Sequence, residues 1–147
     1  MNGGESSWSD DQRWQARLVA DEQRLSEILS DDDRKVVDGT VAAADANGAL
    51  EFIVVYGSAA RAERRAGSDL DIYFEAADLP EPFNRTDPER RWHVYGMPEG
   101  TLLGNLRLGR DFAFDLIETA LVVTDRGPFR QLLIAVAQEG LVRADAD

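Results

Sequence analysis

The stretch that decides the fold is residues 50–76, which read LEFIVVYGSAARAERRAGSDLDIYFEA. Its first part, 50–56, is a continuous run of β-branched and aromatic residues, which predicts a strand covered on both faces. A Gly-Ser pair follows, and the helix formers after it predict a short helix over 59–65. A second strand is predicted over 70–75. The order is therefore strand, tight turn, short helix and strand.

Two helices are predicted before this stretch. Ser9 begins a capping-box pattern, and apolar residues at helical spacing then predict a first helix over about 10–29. Ser30 is placed to cap a second helix, with three aspartates at 31–33 in its first turn. Asn47-Gly48 favours a left-handed end of that helix.

The part of the chain after residue 76 gives weaker signals. We predict a mobile loop over 77–91, a short strand over 92–95, a helical turn or a strand over 101–108, a third strand over 112–117, and a helix over 129–138 that Gly140 ends.

Composition limits the class of protein. The chain has 147 residues, of which 44% are hydrophobic, and this predicts one compact domain over 1–147. Since the chain contains no cysteine, any metal must bind oxygen ligands or the single histidine, His93. Mg²⁺ suits such ligands best. The first residues lack the features of a signal peptide and no apolar run is long enough for a membrane span, so we expect a cytoplasmic protein with no membrane partner.

The net charge of -12 disfavours sequence-independent binding of duplex nucleic acid, whose recognition needs clustered Lys and Arg. A tRNA or DNA acceptor stays open. Lys35 is the only lysine. Abundant aspartate beside basic residues that are almost all arginine is typical of a salt-adapted proteome and equally of a GC-rich genome.

The chemistry is predicted where the first strand, the short helix and the second strand meet. Residues at i and i+2 of a strand point to the same face, so Asp69 and Asp71 should project together and hold cations. Gly57 has no side chain to block a phosphate, and Ser58 offers a hydroxyl at a helix start. Arg61, near that start, is our candidate for a triphosphate contact.

The segment 57–71, GSAARAERRAGSDLD, resembles the signature of the DNA polymerase β-like nucleotidyltransferase superfamily. The likeness is greatest to its minimal bacterial and archaeal branch, whose motif commonly reads G-S-x-A-R-G, five variable positions and S-D-x-D. Ser68 matches this motif, and Ala62 replaces its second glycine. The coarser pattern of strands is similar from about residue 50 to the C-terminus. Residues 1–47 are an N-terminal helical extension with no counterpart.

The resemblance implies an α/β (α+β) nucleotidyltransferase (polymerase β-like) fold, with a mixed central sheet flanked by helices. It implies transfer of a nucleoside monophosphate, such as AMP from ATP, to an acceptor hydroxyl with two Mg²⁺ ions, or Mn²⁺. Asp69 and Asp71 would bind both ions, and a third carboxylate on a later strand would bind the catalytic one. We favour Asp115 over Asp111 for this role, because Asp111 stands where the predicted strand only begins. The nucleotide would contact the four motif residues Gly57, Ser58, Arg61 and Ser68.

The family also suggests acceptors. One is a tyrosine on a helical HEPN-type toxin, which would make the chain part of a toxin-antitoxin system. The alternatives are a tRNA end, a small hydroxylated drug as in the aminoglycoside adenylyltransferases, or no acceptor at all in a catalytically decayed antitoxin that only binds its partner. The base of the NTP and a homo-oligomeric state stay open.

Overall fold

The computed structural model describes residues 3–61, 69–89 and 91–144, with side chains for all of these except 3–9, 59 and 61. The described elements, in chain order, are α1 (Gly3–Ile28), α2 (Asp31–Ala44), β1 (Leu50–Tyr56), α3 (Ser58–Arg61), β2 (Leu70–Ala76), β3 (Phe83–Asp87), β4 (Trp92–Pro98), α4 (Thr101–Arg107), α5 (Asp111–Thr119), β5 (Leu121–Asp125) and α6 (Pro128–Glu139).

The described strands form one mixed sheet in the order β3-β4-β2-β1-β5. β2 and β4 run parallel, and the other neighbouring pairs are antiparallel. β1 and β2 are central and almost wholly buried, which agrees with the mostly apolar sequence of β1, while β2 includes the acidic residues Asp71 and Glu75. The predicted α+β class with a mixed central sheet flanked by helices is confirmed.

Both faces of the sheet are covered by apolar side chains. On one face Ile53 and Ile72 pack with Val37 of α2 and Leu25 of α1, all of them fully buried. On the other face a second cluster is built around Phe52 and includes side chains of α4, α5 and α6. The N-terminal helices therefore contribute directly to the packed core.

α1 also covers the edge of the sheet at β5. The buried carboxylate of Asp21 accepts a hydrogen bond of 2.9 Å from the backbone N–H of Val122. Arg17 donates to the carbonyl of Ala120 at 3.0 Å, next to the same strand. Exposed edge groups invite pairing with another chain, and here side chains of α1 satisfy two of them.

The helix boundaries before the sheet agree in part with the predictions. Ser30 caps α2, because its hydroxyl accepts from the Asp33 N–H at 3.1 Å while the Ser30 N–H donates to the Asp33 carboxylate at 3.0 Å. Gly48 has a left-handed backbone, with φ of 70°, but it does not end the helix, since α2 ends at Ala44. The capping box at Ser9 is wrong, since α1 already contains that residue.

Two predictions after residue 76 are wrong. The third strand expected over 112–117 from its composition is α5, where Ala113, Phe114 and Leu116 are buried at helical spacing. The strand in this region is β5. The loop expected over 77–91 contains β3, a mostly exposed edge strand that is held by backbone pairing with β4 rather than by an apolar pattern. Residues 101–108, for which the sequence allows a helical turn or a strand, form the helix α4 over Thr101–Arg107.

No helix among the described residues is long and apolar enough to cross a membrane.

Candidate functional site

The turn after β1 lies against the start of β2. Tyr56 pairs with Asp71 in the antiparallel register, so the next residue, Gly57, stands beside the Asp71 side chain. Gly57 has φ of 80°, and a Cβ added to it would lie 2.9 Å from the Asp71 Oδ2. Only glycine fits there, because of both the backbone conformation and the carboxylate. The chain thus keeps a bare backbone turn in direct contact with an acidic group.

A hydrogen-bond relay fixes this turn. The Gly57 N–H donates to the hydroxyl of Thr119 at 2.8 Å, and that hydroxyl donates to the carbonyl of Asp115 at 2.9 Å. Thr119 is the last residue of α5, so this helix holds the turn from the side opposite β2. Nothing in the local sequence points to Thr119, which lies 62 residues away.

Asp69 and Asp71 lie at the N-terminal end of β2. Asp71 is half-buried and shares a strand face with Tyr73, while Asp69 immediately precedes the strand with 45% of its side chain exposed. Burial raises the pKa of the Tyr56 hydroxyl, and the negative charge of Asp71 raises it further. Tyr56 therefore stays protonated next to the acidic pair and can donate a hydrogen bond.

β4 brings two basic residues to the same place. His93 is the register partner of Asp71 on the parallel strand, and its Nε2 lies 3.6 Å from the Oδ2 of Asp69. Arg91 lies just before β4, with its guanidinium 3.8 Å from the Oδ1 of Asp69. Arg91 also has φ of 58°, a left-handed conformation that is costly for a residue with a side chain and that is concentrated at functional sites.

The structure does not place Asp115 where a third carboxylate was expected. Asp115 lies on a helix, half-exposed, and its carboxylate accepts a hydrogen bond of 2.8 Å from Arg143. The competitor Asp111 binds the same guanidinium. On the side of β2 away from β1 the neighbouring strand is β4, and its residue opposite Asp71 is His93. The prediction that Asp115 lies on a strand is wrong because that segment is α5.

The remaining candidates are only partly described. Ser58 begins α3 and is exposed, so its hydroxyl is accessible beside Gly57. Arg61 ends α3, but its side chain lies outside the described part of the chain. Ser68 lies outside the described residues altogether.

A buried acidic residue stands behind the site on the same strand face. Glu75 is 2% exposed and accepts hydrogen bonds from the Tyr73 hydroxyl at 2.6 Å, the Gly100 N–H at 2.9 Å and the Leu102 N–H at 2.7 Å. Burial raises the pKa of this carboxyl group, and the three donors oppose that rise. Two of these donors are N–H groups of the first turn of α4, so Glu75 caps that helix from the neighbouring strand.

The donor set of the site suits a hard divalent cation in its chemistry, since Asp69 and Asp71 supply carboxylate oxygens. Within residues 3–61, 69–89 and 91–144, no three His, Asp or Glu side chains are grouped so that they could hold a metal ion.

No protein-family model matches the chain, and no curated protein sequence matches it.

Proposed function

We propose that the chain is a Mg²⁺-dependent nucleotidyltransferase with a polymerase β-like fold, which transfers a nucleoside monophosphate, AMP from ATP, to an acceptor hydroxyl. The observation that carries the proposal is the contact between the Gly57 turn and the Asp71 carboxylate. A phosphate can approach a backbone without a side chain, and a cation on the adjacent carboxylate can meet that phosphate. The two requirements of a metal-nucleotide site thus occur at one point.

The arrangement of elements supports the proposal. β1, the turn, α3 and β2 follow one another as the motif requires, and the antiparallel register of β1 and β2 sets the turn beside the acidic pair. This placement does not depend on the resemblance in sequence. It follows from the pairing of Tyr56 with Asp71.

Each residue has a role that its position allows. Asp69 and Asp71 would hold the metal, which when bound would neutralise phosphate charge. The acceptor oxygen would bond to the α-phosphorus of ATP as its bond to the bridging oxygen breaks, with pyrophosphate leaving and the hydroxyl proton passing to solvent. The Ser58 hydroxyl is exposed and can donate to a phosphate oxygen. For Arg61 and Ser68 we propose the nucleotide contacts that the resemblance implies. Arg91 lies 3.8 Å from Asp69 and adds positive charge for the triphosphate. Positioning and charge neutralisation would supply the catalysis.

For the acceptor we propose a protein hydroxyl, the tyrosine of a HEPN-type toxin. The net charge of -12 opposes a nucleic-acid acceptor such as tRNA, while a tyrosine hydroxyl carries no such penalty. A small hydroxylated molecule remains the alternative within the same enzyme class.

A second function, nucleotide or partner binding without transfer, is favoured by one observation. The strand position beside Asp71 holds His93, and Asp115, which lies on helix α5, accepts a hydrogen bond from Arg143. Two carboxylates can bind a metal-nucleotide, but within the described part of the chain no third carboxylate is grouped with them, although the resemblance implies one for the catalytic ion. The chain would then be an antitoxin that acts by binding alone.

One experiment separates these functions. The protein is incubated with Mg²⁺, ATP labelled at the α-phosphate and a HEPN-type toxin, and label on the toxin is measured beside ATP binding. Transfer that is lost in Asp71→Asn and kept in Asp111→Asn supports the enzyme. Binding without transfer supports the second function, and the absence of both overturns the nucleotide site.

A further inference from the structure

A cavity of about 690 Å³ lies on the face of the sheet opposite the acidic pair. α2 forms one wall and the β3 edge strand forms the other, with Phe74 and Val94 in the floor. Both floor residues are only 5% exposed, so they are fixed in the core. The volume falls within the range of about 300–1,000 Å³ that is usual for sites of small organic ligands.

The cavity has open space beside Gly39 in the wall formed by α2. Gly39 is the ninth residue of this 14-residue helix and lines the cavity, and a Cβ added to it would meet no atom within 4 Å. A glycine inside a helix costs about 1 kcal/mol relative to alanine. Since packing does not require the glycine, it keeps room on the cavity side of the helix at a cost in stability.

Aromatic side chains form the other surfaces of the cavity. Phe83 is 42% exposed and its ring lies 6.2 Å from that of Phe74, tilted by 47°. Trp92 lines the cavity at the start of β4, where its indole N–H donates to Asp33 at 3.0 Å. A flat or branched apolar body would therefore meet aromatic surface on the floor and on the β3 wall.

Two cationic side chains line the same cavity without a partner. Among the described arginine and lysine side chains, those of Lys35, Arg85 and Arg110 form no ion pair or hydrogen bond. Lys35 on α2 and Arg85 on β3 both line the cavity. Unpaired cations are unexpected in a chain with 28 acidic and 16 basic residues, where carboxylates are abundant.

We propose that this cavity binds a small amphipathic monoanion, with an aromatic or branched apolar body and one carboxylate or sulfonate-like group. The body would occupy the space beside Gly39, and the acidic group would meet Lys35 or Arg85. Three aspartates also line the cavity, at positions 32, 78 and 87, and they disfavour ligands that carry several negative charges. A nucleoside triphosphate therefore does not suit this site, which is distinct from the acidic pair.

The test uses 8-anilinonaphthalene-1-sulfonate, an aromatic monoanion whose fluorescence rises when it is buried, and N-phenyl-1-naphthylamine, its neutral counterpart. We expect saturable binding of the anion to one site. Gly39→Leu should abolish it by filling the open space, and leucine suits a helix better than glycine does. Lys35→Gln and Arg85→Gln should each weaken it about three- to tenfold, while Arg110→Gln, a loss of the same charge elsewhere, should not.

Several results would overturn the proposal. One is that the anionic probe shows no saturable binding. Another is that the neutral probe binds as tightly as the anion while the Lys35 and Arg85 variants bind the anion as the wild type does. Binding that survives Gly39→Leu but disappears in Phe112→Ser would place the probe on an exposed apolar side chain of α5 instead. If Gly39→Leu fails to fold, the two charge variants and the neutral probe decide the question on the full-length protein.

Discussion

The contact between Gly57 and Asp71 can be tested by adding a single methyl group. In Gly57→Ala the new Cβ would lie 2.9 Å from the Asp71 Oδ2, closer than the normal separation of such atoms, in a backbone with φ of 80°. Two separate effects should therefore destabilise the variant: the left-handed conformation and the overlap with the carboxylate. The structure allows each to be measured alone.

The conformational effect should be about 1–2 kcal/mol, the usual cost of a left-handed conformation for a residue with a side chain. Gly100→Ala measures it by itself, because Gly100 has φ of 82° and nothing within 4 Å of an added Cβ. The overlap should add about 1–3 kcal/mol, as overpacking does in a protein interior. Gly57→Ala should thus lower the free energy of unfolding by roughly 2–5 kcal/mol, and Gly100→Ala by only the first part.

Urea unfolding of a double-mutant cycle checks this assignment. In an Asp71→Ala background the carboxylate is gone, so Gly57→Ala should cost no more than Gly100→Ala does in the wild type. The difference between the two backgrounds is the energy of the contact. If Gly57→Ala costs the same with and without the Asp71 side chain, the turn and the acidic pair are not in contact and the proposed site is wrong.

Three further predictions concern the rest of the fold. Burial raises the pKa of Glu75 above its ordinary value of 4.5, so its stabilising contribution is present below pH 4.5 and is lost as pH rises through the raised pKa. The unfolding free energy of the wild type minus that of Glu75→Gln should therefore fall as pH increases over that window, and a flat difference would contradict the burial of an ionisable group. Arg143→Gln should lower the melting temperature, because it frees the carboxylates of Asp115 and Glu118. Since these groups are exposed, the difference in melting temperature between the variant and the wild type should shrink in about 1 M salt. A difference that does not shrink would mean that the effect is not ionic. A Cβ at Gly96 would overlap the Phe74 ring. Gly96→Ala should therefore lower the free energy of unfolding, measured with urea, by about 1–3 kcal/mol in the wild type and by much less in a Phe74→Leu background. Equal losses in the two backgrounds would show that Phe74 is not the cause.

The sequence predicts the elements whose pattern is set by local physics. β1 is a buried central strand, and its continuous apolar run gives its limits correctly at Leu50 and Tyr56. Ser30 predicts the start of α2, because a helix cap needs a particular side chain, whereas the end of α2 at Ala44 precedes the left-handed Gly48 by four residues. The edge strand β3 has no such pattern, since its residues face solvent and its backbone pairing with β4 depends on the fold.

In the site, too, the sequence predicts the contacts between residues that are close in the chain and not those that depend on distant strand pairing. The acidic pair and the Gly57 turn are close in sequence, and their contact follows from the pairing of two neighbouring strands. His93 and Arg91 reach Asp69 only through the parallel pairing of β2 with β4, which no local signal reveals. The composition of residues 112–117 favours a strand, which would carry Asp115 as the third carboxylate that the resemblance implies, yet the burial of Ala113, Phe114 and Leu116 is that of a helix.

The central claim is that Asp69 and Asp71 with the Gly57 turn form a metal-nucleotide site. Its most direct test is calorimetric titration of Mg²⁺-ATP into the wild type and into Asp69→Asn, Asp71→Asn and Asp111→Asn, the last as a charge-matched control outside the site. We expect one binding site in the wild type that is kept in Asp111→Asn and weakened at least tenfold in each of the other two variants. No binding by the wild type, or equal binding by all four proteins, would contradict the account.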